Sequence, residues 1–214
     1  MSITVAKDLR SKFGAARDQG TRPTCLSFAA SDAHAAVRAS VFAELSAEYL
    51  YFNANRRLSM PLPLRGVNLV NTRAALETDG QPLEVDWPYR LIHPPHLPLP
   101  TPSTGLTVFT RCSVRKTPSA PQVVELLDQD CVSVIVVKLT ESFFNPDSDG
   151  IVVPQQNDPD AGSHALIAAG HGVKGTQPLV LVRNSWGAEW GRDGYGWLPT
   201  DYLNSRLMAL AYIN

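Results

Sequence analysis

The feature that most restricts how this 214-residue chain can fold is a proline-dense crossing near its middle. Residues 88–121 hold eight of the 17 prolines, at positions 88, 94, 95, 98, 100, 102, 118 and 121. Proline fixes φ and removes a backbone donor, so this stretch cannot be helix or central strand and reads as an extended connector. The chain differs in texture on its two sides. Residues 24–43 are alanine-rich and free of Gly and Pro, which predicts a buried helix with Thr24 as N-cap and Cys25 in its first turn. Residues 46–57, opening on a Ser-x-Glu pattern, predict a second helix, and 67–78, ending at Asp79-Gly80, a third. Beyond the crossing, 132–139 (VSVIVVKL), 164–172 and 179–186 predict strands, followed by a turn-rich region at Gly187, Gly191, Gly194 and Gly196. A helical half followed by a β half implies an α+β protein with a cleft between two lobes.

Composition narrows the function classes. Lys plus Arg number 19 and Asp plus Glu 20, a net charge of −1, which argues against a nucleic-acid partner. With 44% hydrophobic and 18% charged residues, disorder is excluded. No apolar run approaches membrane-spanning length, so no membrane partner is expected. The first 20 residues carry charges throughout and hold no secretory signal pattern. Three cysteines (Cys25, Cys112 and Cys131) suit a reducing compartment, and a cytoplasmic location is expected. Their spacing fits no metal site, and no Gly-rich phosphate loop is present, so no metal and no cofactor are expected.

A lone cysteine is usually a small buried hydrophobe. Cys25 differs because a helix N-terminus favours thiolate over thiol. A thiolate needs a base or counter-ion, which a histidine supplies. His34 lies mid-helix and reads as packed or solvated; His93 and His96 read as loop residues, and His171, in Gly-His-Gly, as structural. His164 lies between a Gly-Ser turn and an apolar strand, where a cleft-facing base can sit. It follows Cys25 by 139 residues, and Asn184 follows by 159.

In this order the residues resemble the papain-like cysteine peptidases, whose His and Asn lie about 130–150 residues after the Cys. Arg17-Asp18-Gln19-Gly20 followed by Cys25 is similar to the family's Gln-Gly-x-x-x-x-Cys block. Leu45-Ser46-x-Glu48-x-Leu50 resembles its second-helix motif, and Glu84-Val85-Asp86-Trp87-Pro88-Tyr89 its Tyr-Pro-Tyr segment. Val132-Ser133-Val134, Phe143 and Gly150-Ile151 follow the β-lobe pattern. The most specific block is Asn184-Ser185-Trp186-Gly187 with Trp190-Gly191 and Gly194-Tyr195. The resemblance implies a single two-lobe domain over 1–214: a helical lobe at about 12–110 and an antiparallel, barrel-like β lobe at 111–214 on which N-terminal residues can pack.

The resemblance also implies roles. Cys25 is the nucleophile, His164 its base and proton donor, Asn184 the orienter of the imidazole, and Gln19 an oxyanion donor beside the Cys25 backbone N–H. Trp186 covers the His–Asn bond. Gly66 lets a peptide backbone approach, although it equally suits an ordinary turn. Ile135 and Ala165 line the main specificity pocket, although any buried strand shows such residues. The partner is a peptide or protein substrate, with a separate inhibitor or regulatory partner in place of a pro-segment, which the 24 residues before Cys25 do not resemble.

Departures from the family are Leu26 for the usual Trp, Arg22-Pro23-Thr24, the absent structural cysteines, Ser163, and MPLPLRG (60–66) after the second helix. They resemble compact bacterial members. Arg22 reads as a solvated surface residue, with support of the thiolate or contact with an acidic substrate as the functional alternative. Acyl transfer, a non-protein amide substrate, and peptide binding without cleavage also use or retain such residues.

Overall fold

The computed structural model describes residues 2–38, 42–61, 64–92 and 99–214. Helix α1 (Cys25–Arg38) is central, and Leu26 to Ala35 are buried without interruption. Alanine keeps it thin enough to pack against strands on one side and two helices on the other. The Thr24 carbonyl accepts the first helical hydrogen bond from Phe28 N (3.0 Å), so Thr24 holds the N-cap position. Its hydroxyl pairs with Tyr89 Oη (2.8 Å) and does not cap, which leaves the first N–H groups of α1 for other partners. Residues 39–41 of the expected helix lie outside the described residues.

Helix α2 (Ala47–Asn55) begins where Ser46 Oγ accepts from Tyr49 N (3.0 Å), and α3 (Leu69–Thr78) where Asn68 Oδ1 accepts from Asn71 N (2.8 Å). Gly80, at φ +66°, closes α3 with its N–H on Ala75 O (3.0 Å). Two helices escaped the sequence reading. In α4 (Ala120–Asp128), Pro121 sits in the first turn, where its missing N–H costs nothing. The other is α5 (Thr200–Arg206).

The strands are β1 (Thr4–Asp8), β2 (Ser113–Lys116), β3 (Ser133–Thr140), β4 (Asp160–Lys174), β5 (Gln177–Arg183), β6 (Tyr195–Pro199) and β7 (Leu207–Ile213). They form one antiparallel sheet ordered β2-β7-β3-β4-β5-β6, with β1 added on β4. This is the expected α+β architecture with an antiparallel β lobe; among the described residues the sheet is not closed, and β2 and β6 remain as its two ends. Strand β4 is long because three strands use it. On one edge β3 pairs with residues 160–168 and β1 with 170–173; β5 takes the other edge. The Gly-His-Gly at 170–172 has a steric cause, since a Cβ at Gly170 or Gly172 would lie 2.5 Å from the carbonyl oxygens of Lys7 or Thr4.

The two lobes are tied by charge. Asp32, on α1, receives Arg17 Nη2 on Oδ1 (2.5 Å) and Arg183 Nε and Nη2 on Oδ2 (3.0 Å each). Arg183 ends β5, is 1% exposed, and also donates to Gly14 O, Ala15 O and Tyr195 Oη. Buried charges persist only when paired in this way. Asp32→Asn leaves two guanidinium groups short of their anion and is expected to cost about 3–5 kcal/mol in urea unfolding. A loss within the ordinary surface range of about 0.5 kcal/mol would contradict the assignment.

Candidate active site

A cleft of about 340 Å³ lies where the α1 N-terminus meets the sheet. Its walls include Gln19, Cys25, Gly66, Val67, Val136, His164, Ala165 and Trp186. A larger groove of about 590 Å³ between α4, α5 and the start of β5 is lined by no cysteine and no histidine. Among the described residues no group of three or more His, Cys, Asp or Glu is placed to hold a metal ion.

Each side chain is set by its element. Cys25 is the first residue of α1, which places its sulfur at the helix N-terminus. His164 lies on β4 opposite Val137, in the stretch before β5 pairing begins at Ile167. That free edge leaves room for Asn184, the first residue after β5. His164 Nε2 and Asn184 Oδ1 are 2.7 Å apart. Asn184 Oδ1 also accepts from Ser185 N (2.8 Å), which fixes it as the oxygen. Because Oδ1 only accepts, His164 Nε2 carries a proton and Nδ1 is left for another partner.

Trp186 lies 4.5 Å from the His164 ring, centroid to centroid, and meets Phe143 and Trp190 edge-on. Half-exposed Phe144 stacks on its outer side at 5.2 Å. These rings screen the His–Asn pair from water. Gln19 is brought in by the pairing of 17–19 with 185–187: Gln19 N donates to Ser185 O (2.9 Å) and Gly187 N to Arg17 O (3.1 Å). Its side chain is fixed at both ends, Nε2 donating to Arg22 O and Oε1 accepting from Ser185 Oγ, each at 2.7 Å.

Burial controls the electrostatics. It pushes the Cys25 thiol up, against the lowering effect of the nearby backbone of Ala165, Leu26 and Cys25 itself. It pushes His164 down to about 4, against the hydrogen bond that His164 Nε2 donates to Asn184 Oδ1. Taken singly, both groups are neutral near pH 7.

The remaining predicted residues fall in several places. Gly66, Ala165 and Trp186 line the cleft with Cys25, His164 and Gln19. Ile135 does not: it is buried in the core, and the cleft residue is its neighbour Val136, the cross-strand partner of Ala165. Side chains alternate along a strand, so a one-residue error reverses the face. Arg22 is not solvated; it is buried and ion-paired with Glu48 of α2. His34 is buried, with Nδ1 on Gln81 Oε1 (3.1 Å), and His171 pairs with Asp128 (2.7 Å). His93 and His96 lie outside the described residues. Cleft residues not foreseen are Val67, Val136, Leu139, Phe144 and Ala161.

Comparison with known proteins shows the family and the fold. The family model described as papain family cysteine protease matches residues 82–209, which include His164 and Asn184. This chain belongs to the papain family of cysteine proteases. Its fold is similar to xylellain, a cysteine protease from Xylella fastidiosa, at TM-score 0.86 and 22% identity, covering all of this chain and 87% of that one. It is also similar in fold to digestive procathepsin L 3 of Tenebrio molitor, at TM-score 0.74 and 16% identity, covering all of this chain and 73% of that one. In sequence, 66 residues are 40% identical to digestive cysteine proteinase 3 of Homarus americanus, or 30% of this chain and 21% of that protein. A stretch of 33 residues is 54% identical to cysteine proteinase 3 of Solanum lycopersicum, or 15% of this chain and 9% of that protein.

The buried imidazoles carry a pH prediction. His34 and His164 are both held at about 4, below the ordinary 6.5. Between these values the unfolded chain binds more protons, so stability is full above 6.5 and falls as pH drops toward 4. Each histidine contributes a slope of up to about 1.4 kcal/mol per pH unit in that window. Urea unfolding across it checks this, and a flat profile would contradict it.

Proposed function

We propose that this chain hydrolyses peptide bonds as a cysteine-type peptidase, with Cys25 as nucleophile, His164 as general base and acid, Asn184 as orienter and Gln19 as oxyanion donor. The observation that carries the reading is the buried His164 Nε2–Asn184 Oδ1 bond of 2.7 Å in a cleft that also holds Cys25 at a helix N-terminus. That bond presents His164 Nδ1 as the proton acceptor.

The steps follow from these positions. An extended peptide lies along the cleft beside Gly66. The Cys25 proton passes to His164 Nδ1 as the sulfur attacks the carbonyl carbon. Burial disfavours either charge alone, so thiolate and imidazolium form as a pair. The carbonyl oxygen becomes an oxyanion, held by the Cys25 N–H and the Gln19 Nε2 proton not used by Arg22 O. Collapse breaks the C–N bond, and the leaving amine takes the proton from His164. Water, losing its proton to His164, attacks the thioester. The carbonyl product leaves as an acid, and the thiol is restored.

Intact-mass labelling with a peptide-like epoxide tests the reading. One equivalent is expected on the wild type, none on Cys25→Ala, and a rate at least about 100-fold lower on His164→Ala. Equal labelling of all three would contradict it.

A further inference from the structure

The turn from Gln19 to Cys25 presents the oxyanion donors, so its rigidity bears directly on the chemistry proposed above. It is held by one buried ion pair. Arg22 and Glu48 are each 2% exposed, with Nη1–Oε2 at 2.5 Å and Nη2–Oε1 at 3.0 Å. Arg22 Nη1 also donates to Arg90 O. The guanidinium lies between two rings, 4.8 Å from Tyr89 and 5.4 Å from Tyr51. A planar fork on a carboxylate, clasped by aromatic faces, fixes position and orientation together.

The other end of the same residue reaches Gln19. The Arg22 carbonyl accepts Gln19 Nε2 at 2.7 Å and Thr24 N at 2.8 Å. Tyr89, which covers the guanidinium, donates its hydroxyl to Gln19 O at 2.8 Å. The side chain of Arg22 is thus anchored in α2, and its carbonyl aims the Gln19 amide.

We infer that Arg22 and Glu48 are positioning residues that set the Gln19 amide for the oxyanion. The inference rests on the peptidase reading above. Lysine keeps the charge of Arg22 but loses the fork, and Glu48→Gln keeps the shape but loses the charge. Arg22→Lys and Glu48→Gln are each expected to lower kcat about 10- to 100-fold, with KM nearly unchanged. Affinity for a peptide aldehyde should fall in parallel, because its tetrahedral adduct needs the same donors. Alkylation of Cys25 by iodoacetamide forms no oxyanion, so its rate and pH profile should stay as in the wild type.

The decisive comparison places Arg22→Lys in a Gln19→Ala background, where nothing remains to be aimed and the further loss in kcat should vanish. An equal loss in both backgrounds would overturn the inference. So would parallel loss of alkylation, no effect of either variant, or failure of both to fold. Wild type without turnover or selective Cys25 alkylation would instead defeat the peptidase reading, and this inference with it.

Discussion

Asp32 holds the two lobes in register, and the spacing of the site depends on it. Its carboxylate takes one guanidinium from the N-terminal segment and one from the end of β5. Cys25 lies seven residues earlier on the same helix, about two turns away and on the same face. Asn184 directly follows Arg183. One buried anion therefore fixes how far the start of α1 stands from the strand ends that carry the His–Asn pair. Arg17 extends the tie to Leu45 O and Glu84, so the start of α2 is held by the same charges. Loss of this clamp would change the site without touching a residue inside it.

Dryness is the second constraint. Phe143 and Trp186 pack on His164, with Trp190 packed on both of them, and burial keeps both Cys25 and His164 away from their charged forms. In such a medium an isolated charge is costly, whereas a facing pair or a hydrogen-bonded oxyanion gains strength. The backbone near the Cys25 sulfur and the fixed amide of Gln19 belong to that design. A hydroxyl cap by Thr24 would compete for the helix N-terminus. Its use by Tyr89 keeps those donors free and stiffens the turn.

The parts legible in the sequence were those with local signals. Alanine without Gly or Pro marked α1; Ser46 marked the start of α2 and Gly80 the end of α3. Asn184-Ser185-Trp186-Gly187 stood out by its resemblance to the family's most specific block, although the strand before it ends at Arg183 and not at 186. What could not be read depends on contacts between distant segments. VSVIVVKL is apolar on both faces, so nothing local distinguishes Ile135, in the core, from Val136, in the cleft. Arg22 looks solvated until α2 brings Glu48 beside it. Asp32 gave a usable signal, a lone acid inside an apolar helix, which has to be paired. Helix α4 opens at Pro121, inside the stretch read as a connector, α5 has only seven residues, and β1 is a strand only because β4 offers an open edge.

As the proposed nucleophile, Cys25 has to form a covalent acyl-enzyme in this cleft. Rapid mixing with a peptide ester, quenched and read by intact mass and peptide mapping, tests it most directly. A burst of released alcohol equal to the enzyme is expected. A transient adduct on the Cys25 peptide, with the mass of the acyl group, is also expected and decays as product acid appears. Steady product formation with no burst and no adduct on Cys25, or turnover that survives Cys25→Ala, would contradict this role.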